Sequence, residues 1–309
     1  MIKMYRTIKQ ELQCVDTITD GIWVDVVNPT EEEISFLTTH FHLSAHAIRA
    51  GLDAEERAHI DIEDSNTFII VDVPIRDEEG IHEYTTIPIE IIVGEQFIMT
   101  ICLQSIDLIQ DFVSQRVRYF YTFMKTRFVL QILYKNASYY LQYLREIDRV
   151  GNRIEQELTK SMRNKELIQL LELEKSLVYF TSSLRANEIV LEKMLRMEAL
   201  KQYSDDKDLL EDVIIENKQA MEMAHIYSSI LSETRDAFAS VISNNLNIVM
   251  KTLTSITIIL SIPTMIFSLF GMNVPLPLQA HPSGYLYILL VSLICIIVGA
   301  IIMFRKKMF

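Results

Sequence analysis

Two long apolar runs near the C-terminal end of the chain constrain everything else it can do. Residues 285–304 read YLYILLVSLICIIVGAIIMF, and a helix of about 20 apolar residues crosses the roughly 30 Å hydrocarbon core of a bilayer. Residues 253–270 (LTSITIILSIPTMIFSLF) carry Ser and Thr but no charge, and Val249 and Met250 extend the run to spanning length. The short stretch between them, 271–284, makes the two a membrane hairpin. Lys251 precedes the first run, Arg305, Lys306 and Lys307 follow the second, and 271–284 holds no Lys or Arg. Basic residues favour the cytosolic side, so a multi-pass protein of the cell membrane with both termini cytoplasmic is expected. The N-terminal residues MIKMYRTIKQELQ lack the long apolar core and small-residue cleavage site of a secretory signal.

The remainder is long enough for a sizeable soluble region, and its fold class reads as α+β. Residues 1–104 form a mixed domain in which β-rich runs at 22–26, 67–73, 87–93 and 97–102 are separated by Gly, Pro and acidic turns. Asn28-Pro29-Thr30 followed by Glu31, Glu32 and Glu33 predicts a helix start, with Thr30 as cap and the carboxylates against the positive end of the dipole. Residues 105–203 contain no proline and repeat apolar residues at three- and four-residue spacing, as at Leu141, Leu144, Ile147, Ile154 and Leu158. That is helical-hairpin material. Ser204 then caps a stalk helix, 204–252, whose first turns hold Asp205, Asp206, Asp208, Glu211 and Asp212. No proline interrupts it before Pro263, so the helix continues into the first span, about 65 residues or about 100 Å in all. The expected order ends with the first span at 253–270, an external loop at 271–284, the second span at 285–304 and a basic tail at 305–309.

The formal net charge is −12, which argues against a nucleic-acid surface, since that needs a basic patch. Cys14, Cys102 and Cys295 are widely spaced, neither a disulfide framework nor a zinc pattern. An enzyme is not expected, because there is no Gly-rich phosphate loop, Cys/His metal spacing or nucleophile motif. His40, His42 and His46 fall at a predicted helix–loop boundary, a poorer setting for a metal site than for surface histidines.

Chemistry concentrates on one line of the first span. Asn247, Thr254, Thr257, Ser261, Thr264 and Ser268 fall at steps of three, four and seven, with Met250 on the same line. At about 100° per residue they occupy roughly a quarter to a third of the helix circumference, while Ser255 lies opposite. Lys251 also points away, free to snorkel to headgroups. Small hydroxyl residues on a membrane helix serve either close helix packing or a water-filled path. Asn247 and Asn273 bracket the line, and packing has no need of amides there, which favours the path. Two helices cannot enclose a pore, so this reading requires several copies around an axis. Rings of neutral oxygens suit a cation that keeps its water, as Mg2+ tends to. The competing reading is a membrane-anchored cytosolic sensor or scaffold, for which the hairpin is only an anchor.

At Gly271-Met272-Asn273, directly after the first span, the sequence resembles the CorA family of magnesium transporters, whose signature is a Gly-Met-Asn triplet at that place. The surroundings match in order: the Asn-x-x-Met-Lys-x-Leu-Thr run from Asn247 to Thr254, Pro263 in the span, the triplet, a short loop, a second span and a basic tail. The resemblance implies a homopentamer with a cytosolic funnel, embedded in membrane lipid, whose pore is made by five copies of the first span. Asn273 would receive the hydrated ion and Gly271 would give backbone freedom at the turn. Thr264 matches a pore position, while Asn247, Met250 and Leu253 match the inner mouth and its hydrophobic constriction. Mg2+ would be both the transported and the regulatory ion, with Co2+, Ni2+ or Zn2+ as the alternatives within the family. Asp212 matches a regulatory aspartate on the stalk, and the acidic turn Asp77-Glu78-Glu79 is its expected partner. Two departures stand out: the loop Val274-Pro275-Leu276-Pro277-Leu278-Gln279-Ala280-His281-Pro282 has no carboxylate, and Ser261 occupies a position that is often methionine. Pro263 is also displaced by one residue from the family's pattern.

Overall fold

The computed structural model describes residues 1–63, 65–77, 83–161, 164–197, 204–273, 277 and 283–305. The chain divides into two compact units, Met1–Arg235 and Asp236–Phe309.

The first unit is built on seven strands: β1 Ile2–Ile8, β2 Glu11–Cys14, β3 Ile22–Val27, β4 His59–Glu63, β5 Asn66–Arg76, β6 Tyr84–Val93 and β7 Phe97–Cys102. Their order is β2-β1-β3-β7-β6-β5-β4. β3 and β7 pair in parallel, from Ile22 opposite Phe97 to Val27 opposite Cys102, and every other pair is antiparallel. The central strands read as nearly unbroken apolar runs because both faces of the sheet are covered. On one face Ile22, Val24, Val26, Ile92, Met99 and Ile101 pack with Ile34, Leu37 and Phe41 of α1 (Glu31–Phe41) and Ile48 of α2 (Ala45–Ala50). On the other, Trp23, Val71, Ile89, Ile91 and Ile98 meet Phe112 of α3 (Asp107–Val113), Phe128 and Leu133 of α4 (Lys125–Ser161), and Val190 and Met194 of α5 (Asn164–Arg196). The alternation of Ile22, Trp23 and Val24 between the two cores is the period-two geometry of a strand.

Four of these strands follow the expected runs, with β5 and β6 longer than predicted. β1, β2 and β4 were not expected. β2 and β4 are the short polar borders of the sheet, and charged, brief edge strands are how sheets avoid pairing with other chains. The start of α1 is as expected: the Thr30 side chain accepts from the Glu33 N–H, and the Glu33 carboxylate accepts from the Thr30 N–H at 2.9 Å, a reciprocal capping box. The helix ends at His42 in the left-handed region (φ 54°), and Ser44 caps α2. His40 turns back to the Phe36 carbonyl at 2.9 Å.

α5 also closes an open strand edge. β4 accompanies β5 from Asn66 to Ile70. Beyond it Asn187 accepts from the Asp72 N–H (2.9 Å) and donates to the Asp72 carbonyl (2.8 Å), as a neighbouring peptide would. Asn136 and Tyr140 of α4 donate to the same carbonyl.

α6 spans Ser204–Phe270 without a break in helical assignment, Pro263 included. Within the first unit it buries Leu210, Val213, Asn217, Ala220, Ala224 and Leu231, spaced by three, four and seven. Asp206, in the first turn, is buried and paired with Arg127 of α4 at 2.9 Å. Lys218 pairs with Glu188, and Arg235 with Glu174. The side chains of Ser204 and Asp205 lie outside the described residues.

The second unit holds the rest of α6 and α7, Gly284–Arg305. Both helices are long and apolar enough to cross a membrane. On α6, Ser255 is fully buried, with Thr252, Ile259, Ile262, Ile266 and Phe270 partly so. On α7, Gly284, Ser292 and Met303 are buried, with Cys295 and Gly299 partly covered. A Cβ placed on Gly299 would stand 3.1 Å from the Ile262 Cδ1. Small residues at such a contact let two membrane helices approach closely.

Candidate functional site

The polar line of α6 lies on the face that this hairpin contact leaves open. Asn247, Met250, Leu253, Thr254, Thr257, Ser261, Thr264 and Ser268 are all exposed in the subunit, as are Gly271, Met272 and Asn273. Ser255, the hydroxyl residue opposite, is the one folded into the hairpin. The helix therefore places Ser255 and the line on different faces, and Ser255 and Ser292 are the hydroxyl residues buried within this unit. An open groove runs along the line, formed by Thr257, Ser261, Thr264 and Ser268 with Leu260 and Met272 among its walls.

Hydrogen positions follow from the bonds these hydroxyls make. Thr257 donates to the Leu253 carbonyl at 2.9 Å, Ser261 to the Ile258 carbonyl at 2.8 Å and Thr264 to the Leu260 carbonyl at 3.0 Å. Such back-bonding to the preceding turn is a regular habit of Ser and Thr in helices. A hydroxyl has one proton and two lone pairs. With the proton committed to the backbone, what each side chain presents outward is acceptor capacity. A face of acceptors orients the hydrogens of water, and so suits a cation that arrives with its hydration shell.

At the far end the Gly271 N–H donates to the Phe267 carbonyl at 2.9 Å and the Met272 N–H to the Leu269 carbonyl at 3.3 Å, closing the helix. A Cβ on Gly271 would meet the Phe267 and Ser268 carbonyl oxygens at 3.4 and 3.6 Å, ordinary contacts. In the single subunit nothing there demands glycine. Of the carboxylate-free loop, Val274–Leu276 and residues 278–282 lie outside the described residues, as do Lys306 and Lys307.

The expected regulatory residues are placed but not joined. Asp212 is exposed on α6, and Asp77 is partly buried, with its N–H donating to the Glu83 carbonyl at 2.9 Å. Glu78 and Glu79 lie outside the described residues. Among the described residues no group of three or more His, Cys, Asp or Glu side chains could hold a metal ion, and His40, His42 and His46 form no such group.

Sequence reasoning passed over two buried acids in the sheet. Asp25 accepts from the Thr100 hydroxyl at 3.1 Å, which in turn accepts from the Trp23 indole at 3.0 Å. Burial pushes its carboxyl up to about 6. Glu90 accepts from the Gly51 N–H at 3.1 Å and is raised by burial to about 8. The signal was present: an acid inside IWVDVV and another inside TTIPIEIIV.

Comparison with known proteins agrees with this architecture. The family model described as CorA-like Mg2+ transporter protein matches residues 19–306. The cobalt/magnesium transport protein CorA of Methanocaldococcus jannaschii is 26% identical over 296 residues, covering 93% of this chain and 90% of that one. The complete structure of the CorA magnesium transporter from the same organism superposes with a TM-score of 0.84 at 24% identity, over 99% of this chain and 98% of the other. The full-length CmaX protein superposes with a TM-score of 0.72 at 13% identity, over 100% and 97%. With its sheet domain, its long α6 and its two apolar C-terminal helices, the chain belongs to the CorA-like Mg2+ transporter family.

Proposed function

We propose that five copies of this chain form a channel conducting hydrated Mg2+ across the cell membrane, with both termini in the cytoplasm and closure driven by cytosolic divalent cations. The observation that carries the reading is the open face of α6, where the hydroxyls of Thr257, Ser261 and Thr264 donate to their own backbone and leave their lone pairs outward. Five such faces around an axis make successive rings. Asn247, Met250 and Leu253 stand at the cytosolic mouth, Thr257, Ser261, Thr264 and Ser268 along the span, and Gly271, Met272 and Asn273 at the external entrance. Neutral oxygens hold a hydrated ion without trapping it as carboxylates would, and Mg2+ sheds its water reluctantly. The constriction falls to Met250 and Leu253, 52% and 56% exposed in the subunit, because Ser261 supplies a hydroxyl further along. Asp212, with Asp77 as its partner from an adjacent subunit, is the regulatory site on this reading. The names of the relatives support the ion class, magnesium or cobalt.

Liposomes containing the purified protein and an internal magnesium dye test conduction. Uptake faster than in empty liposomes is expected, and an excess of Co2+ or Ni2+ should slow it by competing for the same path. Uptake equal to empty liposomes across a range of internal Mg2+ and membrane potential overturns it; a marked preference for Zn2+ reassigns the ion.

A further inference from the structure

Glu90 lies in the middle of β6, only 1% exposed, between Ile70 of β5 and Ile101 of β7. Its carboxyl is clasped by the end of α2, where the Gly51 N–H donates to Oε2 at 3.1 Å. The fit is close enough that a Cβ on Gly51 would stand 2.6 Å from the Glu90 Cβ and 2.7 Å from Oε2. Among the described residues no cationic side chain bears on it. From the sheet and from α1 the neighbouring core is apolar: Phe68, Ile92, Ile101, Leu37 and Phe41. From α2, His46 is exposed, and Arg49 is committed to Glu31 at 2.7 Å on the solvent side. From the segment after α2, the charge that bears on Glu90 is Glu56, which has the same sign.

We propose that Glu90 is a proton-operated latch on the sheet domain: with its carboxyl protonated, the end of α2 lies closed over β6, and loss of that proton to solvent releases residues 45–58. One backbone N–H cannot compensate a carboxylate removed from water. Opening the segment rehydrates it. The latch weakens progressively from the ordinary carboxyl value, 4.5, up to about 8, where burial holds the closed acid, so its linkage extends beyond that of Asp25, which ends at about 6. It stands apart from the transport reading, because it concerns the first compact unit alone.

Hydrogen–deuterium exchange of the full-length protein in detergent, from pH 6.5 to 9.5 and corrected for intrinsic rates, tests it. Protection of peptides covering 45–58 should fall by up to about tenfold per pH unit as pH rises towards 8 and level off above it, because the carboxyl of the open segment ionises near its ordinary value while the closed one holds its proton to about 8, while peptides of β7 hold theirs. Protection that is independent of pH in the unaltered protein overturns the proposal. Glu90→Gln, which cannot ionise, should abolish the pH dependence; a variant that keeps it assigns the transition to another group and overturns the latch. Because the variant could fold poorly, infrared difference spectra of the unaltered protein over the same range provide a second measurement. They should show a protonated carboxyl that persists at pH 7 and is lost near pH 8, where protection levels off, and a carboxyl absent at pH 7 overturns the proposal equally.

Discussion

Ser255 and Ser261 are six residues apart on α6, chemically alike and opposite in role. Ser255 is fully buried against the hairpin, whereas Ser261 is exposed and hydrogen-bonded to its own backbone. Ser255→Leu inserts methylenes where the helices touch, an overpacking that costs about 1–3 kcal/mol, and should lower the melting temperature of the detergent-solubilised protein. Ser261→Leu should leave that temperature unchanged but add an apolar ring to the proposed path and cut flux at least tenfold. If Ser255→Leu abolishes flux at full stability, or Ser261→Leu destabilises, the two faces have been exchanged. Asn273→Ala tests the external ring in the same way, with loss of flux and an intact oligomer expected. Asp25 gives a residue-scale prediction that concerns stability alone. Its folded pKa, about 6, lies above the ordinary 3.8, so the native state binds the proton more tightly than the unfolded chain. Its favourable contribution is complete below pH 3.8 and lost as pH rises to about 6. Asp25→Asn can still accept from Thr100, and should flatten that part of the profile and stabilise the sheet at pH 7 by up to about 3 kcal/mol. Trp23, the sole tryptophan and fully buried, provides the fluorescence signal for the melt.

Elements differ in how openly the chain declares them. α1 announced itself through Thr30 and Glu33, because a capping box is local and its partners sit three residues apart. The central strands were legible because burial on both faces leaves unbroken β-branched runs, and the line on α6 because period is preserved whatever the helix packs against. β2 and β4 were hidden by their polarity, which is the same property that makes them safe edges. The contacts of Glu90 and Asp72 could not be read at all, since their partners are 39 and 115 residues away. Asn187 shows what such distant pairing does. It satisfies both backbone groups of Asp72 where β4 has ended. Asn187→Ala leaves the carbonyl with Asn136 and Tyr140 but strips the N–H of its acceptor, and a buried unsatisfied donor costs about 1–3 kcal/mol. The melting temperature followed through Trp23 should fall accordingly, and exchange should accelerate at Asp72 before it does at Ile89; a uniform loss of protection would place Asn187 in the global fold rather than at that edge.

At the scale of the whole molecule, α6 is the element common to both compact units. Its acceptor-lined face has no enclosure within one chain, and its acidic residues hold no three-ligand metal group among those described. On the proposed reading, the ligands of the cytosolic Mg2+ that closes the pore come together between copies, with Asp212 contributing from the exposed surface of α6. That arrangement makes closure a property of the assembly: each bridging ion favours the same closed packing, so inhibition should be cooperative in internal Mg2+. Losing one carboxylate from every bridge weakens the differential affinity that drives the transition, without touching the path. Asp212→Ala should accordingly shift half-inhibition to higher internal Mg2+ and flatten the curve, while the uninhibited flux at low internal Mg2+ stays at the level of the unaltered protein. An inhibition curve that superposes on the original removes Asp212 from the bridge. A fall in uninhibited flux would instead place it on the conduction path, and Asp77→Ala, measured in the same liposomes, then shows whether the two carboxylates act at one site.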